Sequence, residues 1–282
     1  TALVPWFEEN YLNRVFAETK LLAGSGDAQR WYGMLGPSSV KTLKDRVEAD
    51  FAPDNPRLFE VDQPVRLQLV LKNIPQLIIR TYEINTVNWY TRNLQEITET
   101  VDLDGLVSSD ERIVDYPQPP MLRHTETFDF LALNRPGVWV VEFIGNGRSS
   151  RALVRKGRLR LTERLGAAGH VFRVYDHTGE GVTDAVIDFG GREFAPDEQG
   201  SITVPFSTAP SEGKLVVRRG NFACLHTFQH RDETYVLESG FFIDPESLLP
   251  GRSAGMVVRT SLTVQGAPVD LGLLEDVALT VN

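Results

Sequence analysis

Two acidic neighbours, Asp197 and Glu198, sit in the stretch IDFGGREFAPDEQGSITVPF, residues 187–206. Paired carboxylates can divide acid and base duties when their surroundings push their pKa values apart. That chemistry needs a histidine, a metal-ligand spacing or a further acid in register, and this stretch offers none. As a turn its residues make sense. Pro196 fixes φ, Asp197 can accept hydrogen bonds from the backbone ahead of it, and Gly200 can turn left-handed. Gly190 and Gly191 punctuate a hairpin just before it. The stretch predicts short strands joined by two turns.

The other chemistry-bearing residues are as scattered. His226 and His230 stand four apart in NFACLHTFQH, a strand-like run. On a strand that spacing is about 13 Å, too far for one metal ion. A hydrolytic site pairing either histidine with Asp232 or Glu233 is the remaining catalytic option. Cys224 is the single cysteine, so neither an intrachain disulfide nor a cysteine-based zinc site is expected. Its neighbours suggest a buried, inert thiol. Gly-x-Ser-x-Gly is absent, and GNGRSS lacks the Gly-Lys-Ser/Thr of a phosphate loop. Asn146-Gly147 instead predicts a tight hairpin turn. DLDGLVSSDERI opens like a calcium loop at Asp102, but Leu106 and Ile113 stand where ligands belong, which leaves a turn. No catalytic residue, metal or cofactor is expected.

Two surfaces could bind a partner. Tyr82, Trp89 and Tyr90 could form an aromatic platform for a carbohydrate or other ligand, although such rings, like Trp139, more often fill a core. Arg148, Arg151, Arg155, Lys156 and Arg158 crowd into one basic stretch that could meet an anionic partner. The chain as a whole carries a net charge of -9, which argues against nucleic-acid binding. At 41% hydrophobic and 24% charged residues the composition is that of a globular chain. No apolar run approaches the roughly 20 residues of a membrane span. The chain opens Thr-Ala-Leu-Val-Pro-Trp, without Met or a leader pattern, and reads as a piece of a longer protein.

The elements that position these residues change period near residue 51. Before it, Leu12, Val15, Phe16, Thr19 and Leu22 recur at helical spacing, with Pro5 suited to the start and Gly24 to the stop. Val40, Leu43 and Val47 form a second, shorter stripe, so two helices are expected. After it, PVRLQLVLKN, HTETFDFLAL and GVWVVEFIGNG read as strands. RLRLTE, HVFRVYD, DAVIDF, SITVPF, KLVVRR, NFACLHTFQH and ETYVLESGFF continue the series. Strands recurring every 8–12 residues or so, without long helices between them, predict antiparallel β-sandwiches. Leu67, Leu69, Ile79, Val141, Phe143, Phe172, Val174, Ile187 and Val204 are the expected core.

The stretch from Arg158 to Phe206 carries a resemblance. A strand ending in Tyr-Asp-x-x-Gly, a Gly-Val-x-Asp-Ala step, a short hairpin and Asp-x-x-Gly before an alternating strand resemble the macroglobulin-type β-sandwich modules of α-macroglobulin-like proteins. The resemblance implies tandem immunoglobulin- or macroglobulin-like sandwiches and an extracytoplasmic setting. The family's Cys-Gly-Glu-Gln thioester is absent, since Leu225 follows Cys224.

The expected organisation is a helical segment over residues 1–50, a first sandwich over 51–157, a second over 158–250, and the start of a further module, or added strands, over 251–282. The expected role is a non-enzymatic structural or protein-interaction segment of a larger multidomain protein. Its partners would be other domains of the parent chain or another protein. The alternative is a carbohydrate- or ligand-binding sandwich accessory to an enzyme elsewhere in the parent.

Overall fold

The computed structural model describes residues 6–280. The chain divides into two compact units. One holds Thr1–Trp89 and Glu96–Arg158, and the other Tyr90–Gln95 and Leu159–Asn282.

The first unit opens with three helices, α1 (Glu9–Leu22), α2 (Ala28–Leu35) and α3 (Pro37–Asp45). Two were expected. The extra one, α2, buries only Trp31 and Leu35, a stripe too short to register as a period. Its N-terminus is capped by Asp27, which accepts from the Gln29 N–H at 3.0 Å. Pro5 lies outside the described residues. The expected stripe on α1 is corrected: Ala17, Leu21 and Leu22 are buried, while Val15 and Phe16 are exposed. The face that wins is the one that packs with Trp31, Leu35, Leu43 and Met121. Val47 lies beyond the end of α3 rather than on it.

Eight strands follow: β1 (Glu48–Phe51), β2 (Leu58–Phe59), β3 (Arg66–Lys72), β4 (Gln76–Ile84), β5 (Asp110–Asp115), β6 (Arg123–Asp129), β7 (Gly137–Gly145) and β8 (Arg148–Lys156). A short helix, α4 (Thr86–Asn93), falls between β4 and β5. One sheet has the order β1-β3-β6 and the other β2-β8-β7-β4-β5. Among the described strands of this unit, β2 and β8 pair in parallel and the other pairs are antiparallel. Period-2 alternation puts Leu67, Leu69 and Leu71 of β3 on the inner face, against Ile79, Val141 and Phe143. The Phe143 ring lies 5.5 Å from Phe51 and 5.3 Å from Phe128. At the β7–β8 hairpin, Asn146 and Gly147 take φ values of 44° and 75°, as a type I′ turn requires.

Lys72, fully buried, fastens the helices to this sandwich. Its ammonium donates to the carbonyls of Lys44 at 3.2 Å and Arg46 at 2.8 Å, where α3 ends. A cation there satisfies carbonyls that the helix leaves unpaired and meets the negative end of its dipole. Burial pushes the Lys72 pKa down, while the nearby Glu48 carboxylate opposes the shift.

The second unit holds β9 (Arg160–Gly166), β10 (Gly169–Tyr175), β11 (Gly181–Val182), β12 (Val186–Phe189), β13 (Arg192–Phe194), β14 (Ser201–Val204), β15 (Ser211–Arg219) and β16 (Phe222–His230). In one sheet β9 flanks β10, and β14 and β11 share its other edge. The facing sheet has the order β13-β12-β15-β16. Between them Phe172, Val174, Ile187, Val204, Leu215 and Val217 form the core. All nine residues expected in the two cores are buried.

Residues 187–206 form the turns their sequence predicts. Gly190 and Gly191, at φ 57° and 76°, close the β12–β13 hairpin. The Asp197 carboxylate accepts from the Gln199 N–H at 2.9 Å and the Ser201 N–H at 2.8 Å. Gly200 takes φ 75°.

A third sheet contains β17 (Tyr235–Ile243), β18 (Met256–Val264) and β19 (Ala267–Val269), in that order. The expected boundary at residue 250 is thereby corrected. A boundary there places β17 in the second sandwich, but its hydrogen-bonding partner is β18 along all nine residues. The second sandwich ends with His230.

Candidate interaction surfaces

The basic stretch is not one surface. Successive side chains of β8 point to opposite faces, which separates Arg151 and Arg155 from Lys156. Lys156 is buried beside Val154 and donates to the carbonyls of Gln63 at 2.7 Å and Leu133 at 2.9 Å. Desolvation pushes its pKa down. Arg151 pairs with Glu142 at 2.9 Å, Arg155 with Glu96 at 2.8 Å and Arg158 with Glu60 at 3.1 Å. Arg148 is exposed at the hairpin end. The expected anionic-partner patch is corrected accordingly: the pleat divides it, and neighbouring acids neutralise most of what remains.

The expected aromatic platform also fails on exposure. Tyr82, on β4, is 8% exposed and Tyr90, on α4, 2%. Trp89 is half-buried, and Trp139 is core. A sugar platform needs open ring faces, and two of the three rings lack them.

The catalytic option does not assemble either. His226 and His230 both lie on β16. The His226 Nε2 faces the Leu159 carbonyl at 2.9 Å, and the His230 Nε2 faces the Pro205 carbonyl at 2.8 Å. The carboxylate of Asp232 accepts from Thr234 and Gln265, and that of Glu233 from the Tyr235 hydroxyl. Cys224 is half-buried, with Sγ accepting from the Leu159 N–H at 3.4 Å. Among the described residues, no group of three or more His, Cys, Asp or Glu comes together as a metal site. A cavity of about 360 Å³ opens in the first sandwich beside Arg112, Thr81, Ser109 and Trp139. Its Ser109 hydroxyl donates to the Thr81 carbonyl.

Sequence reasoning missed His170, which is fully buried at the start of β10. Its Nδ1 lies 2.6 Å from Glu163 Oε1, and its Nε2 accepts from the Arg231 N–H at 3.0 Å. A single histidine opening an apolar strand carries no signal of that arrangement.

Among the exposed apolar side chains, two groups lie on regular elements. On and before α1, Phe7, Tyr11 and Val15 are solvent-facing at spacings of four, with Phe7 stacked on Tyr11 at 5.9 Å. The Arg14 guanidinium lies 5.7 Å from the Tyr11 ring centroid. In the third sheet, Tyr235, Leu237, Phe241, Phe242 and Val257 are each at least 45% exposed. The pleat puts Tyr235, Leu237 and Phe241 on one face of β17 and Phe242, paired with Val257, on the other, so both faces of this sheet expose apolar side chains.

Comparison with known proteins agrees with a modular chain that contains immunoglobulin-like domains. Residues 1–47 match the family model of the actin-binding protein F N-terminal domain. Residues 77–157 match that of the AbpF first immunoglobulin-like domain, and residues 244–282 that of the third. The chain is similar to actin-binding protein F of Dictyostelium discoideum, at 33% identity over 285 residues. That match covers 98% of this chain and 12% of that protein. Among solved structures, a fragment of native alpha-2-macroglobulin from Escherichia coli overlays with a TM-score of 0.42 at 11% identity, covering 64% of each chain. A shorter fragment of that protein overlays at 0.39 and 12% identity, covering 64% of this chain and 96% of the other. These overlays carry no argument about family. The immunoglobulin-like sandwich stands, and the narrower macroglobulin assignment does not follow.

Proposed function

We propose that this chain is a non-enzymatic interaction segment from a large actin-associated protein, built from a helical module and serial immunoglobulin-like sandwiches. The observation that carries the reading is the 33% identity to actin-binding protein F, sustained along 98% of the chain. The order of the matched segments supports it: a helical domain, a first immunoglobulin-like domain and, beyond the second sandwich, a third. The solvent-facing rings on and before α1 and on β17 support a macromolecular partner over a small ligand. In the same reading, the sheet of β17, β18 and β19 is the opening of a further sandwich, its apolar faces covered by another part of the parent chain.

Cosedimentation with filamentous actin tests the proposal. The purified chain is expected to pellet with filaments and to saturate as filament concentration rises. A chain that stays in the supernatant at high filament concentration rules out direct actin contact by this segment.

A further inference from the structure

The cations of the first sandwich and those of the helices keep different company. In the sandwich Arg66 pairs with Asp129 at 2.7 Å, Arg80 with Glu111 at 2.7 Å and Arg123 with Glu48 at 2.6 Å. On the helices Arg14 lies 5.7 Å from the Tyr11 ring centroid, Lys20 5.5 Å from that of Phe16 and Arg30 4.9 Å from that of Trp31. Among the described residues none of these three forms an ion pair. Up to Asp45 the chain carries as many bases as acids, so the residues after it hold the whole net charge of -9. An acidic partner is repelled by that remainder and least opposed at the helices.

One of the three cations borders a groove. Phe7, just before α1, and Tyr11 and Val15 on it recur at spacings of four, and Arg14 reaches the Tyr11 ring from three residues on. Beside them, toward the end of α2, a groove of about 570 Å³ is lined by Glu8, Asn10, Tyr11, Arg14, Met34 and Leu35. Tyr11, Arg14 and Met34 are exposed, while Leu35 is buried in the helical core that holds the two helices together. Aromatic rings, arginine and methionine are the side chains enriched at protein interfaces, and arginine and tyrosine are common anchors there.

We propose that this groove is where the chain meets the actin filament, taking an apolar patch of the filament surface flanked by a carboxylate that pairs with Arg14. The inference rests on the actin reading and adds to it the contact face and the sign of the charge it receives.

Cosedimentation of the 282-residue chain and its variants with filamentous actin tests it. Tyr11→Ala and Arg14→Glu are each expected to weaken binding by about tenfold or more, the loss typical of truncating an anchor or reversing its charge. Glu8→Gln, which removes the groove's own acid, should tighten it. Raising salt from about 50 to about 200 mM should weaken the unsubstituted chain more than Arg14→Gln. Phe242→Ala, an exposed ring outside the groove, should bind as the unsubstituted chain does. Circular dichroism checks that each variant folds, and should Tyr11→Ala or Arg14→Glu not fold, Met34→Glu carries the same test. An unsubstituted chain that pellets while Tyr11→Ala and Arg14→Glu pellet equally well overturns the groove and leaves the actin reading standing. Weaker binding in Glu8→Gln overturns the acidic partner. An unsubstituted chain that stays in the supernatant overturns the actin reading and the groove with it.

Discussion

β7 and β17 are both nine-residue strands rich in apolar residues, GVWVVEFIG and YVLESGFFI. β7 is buried along almost its whole length, and β17 is exposed along almost all of it. The difference lies in the partners. β7 has β4 on one side and β8 on the other, and it packs against a facing sheet. Among the described residues, β17 pairs with β18 alone. Hydrophobic pattern therefore predicts the strand, while neighbours far along the chain decide whether it becomes core.

Substitutions in the two regions measure that difference directly. Phe143→Ala on β7 should cost about 3–5 kcal/mol of unfolding free energy, the range for emptying a buried aromatic site. Urea denaturation followed by tryptophan fluorescence measures it, and a loss below about 1 kcal/mol would deny β7 its central place. Lys156→Ala, at the end of β8, should cost about 1.5–3 kcal/mol, because it strands the Gln63 and Leu133 carbonyls without a charged donor. The same denaturation curves report it, and a neutral result would mean that water reaches those carbonyls.

Two tyrosines sharpen the contrast in a third way. Burial, helped by Glu126, pushes the pKa of Tyr116 in the first unit up to about 12. Tyr235 on β17 is raised chiefly by its hydrogen bond to Glu233. Absorbance titration should therefore show Glu233→Gln restoring Tyr235 and leaving Tyr116 late. A Tyr116 that ionises with the exposed tyrosines would refute its burial. The sign for stability follows: the folded chain keeps the Tyr116 proton longer than the unfolded chain. That contribution is present below the ordinary value of 10.0 and declines as pH climbs toward about 12. The smallest effect is expected at Phe242→Ala, within about 0.5 kcal/mol, because this 67% exposed ring buries little. A loss several times larger would show that the sheet already has a cover.

Much of this architecture is legible in the residues. Alternation exposes β3, β10 and β14, and Asn146-Gly147, Gly190-Gly191 and Asp197 announce their turns through backbone preferences that act locally. The rest depends on contacts made at a distance. α1 carries two possible apolar stripes, and only Trp31, Leu35 and Leu43 select between them. Lys72 and Lys156 read as solvated charges until the carbonyls that receive them are in place. The allegiance of β17 is settled by β18, and the role of His170 by Arg231, 61 residues away. The basic stretch looked like one patch because linear order hides the pleat.

The parallel pairing of β2 with β8 has a consequence for synthesis on the ribosome. Leu58 finds its partner only at Arg155 and Phe59 only at Lys156. At about 5–20 residues per second, β2 waits on the order of 5–20 seconds after leaving the ribosome before β8, its strand partner among the described residues, is made. Phe59, which ends 1% exposed, spends that interval without the edge that will cover it. The first sandwich is thus completed late, from its last strand backward to one of its earliest, and a nascent chain stalled before β8 would present that unfinished edge to chaperones.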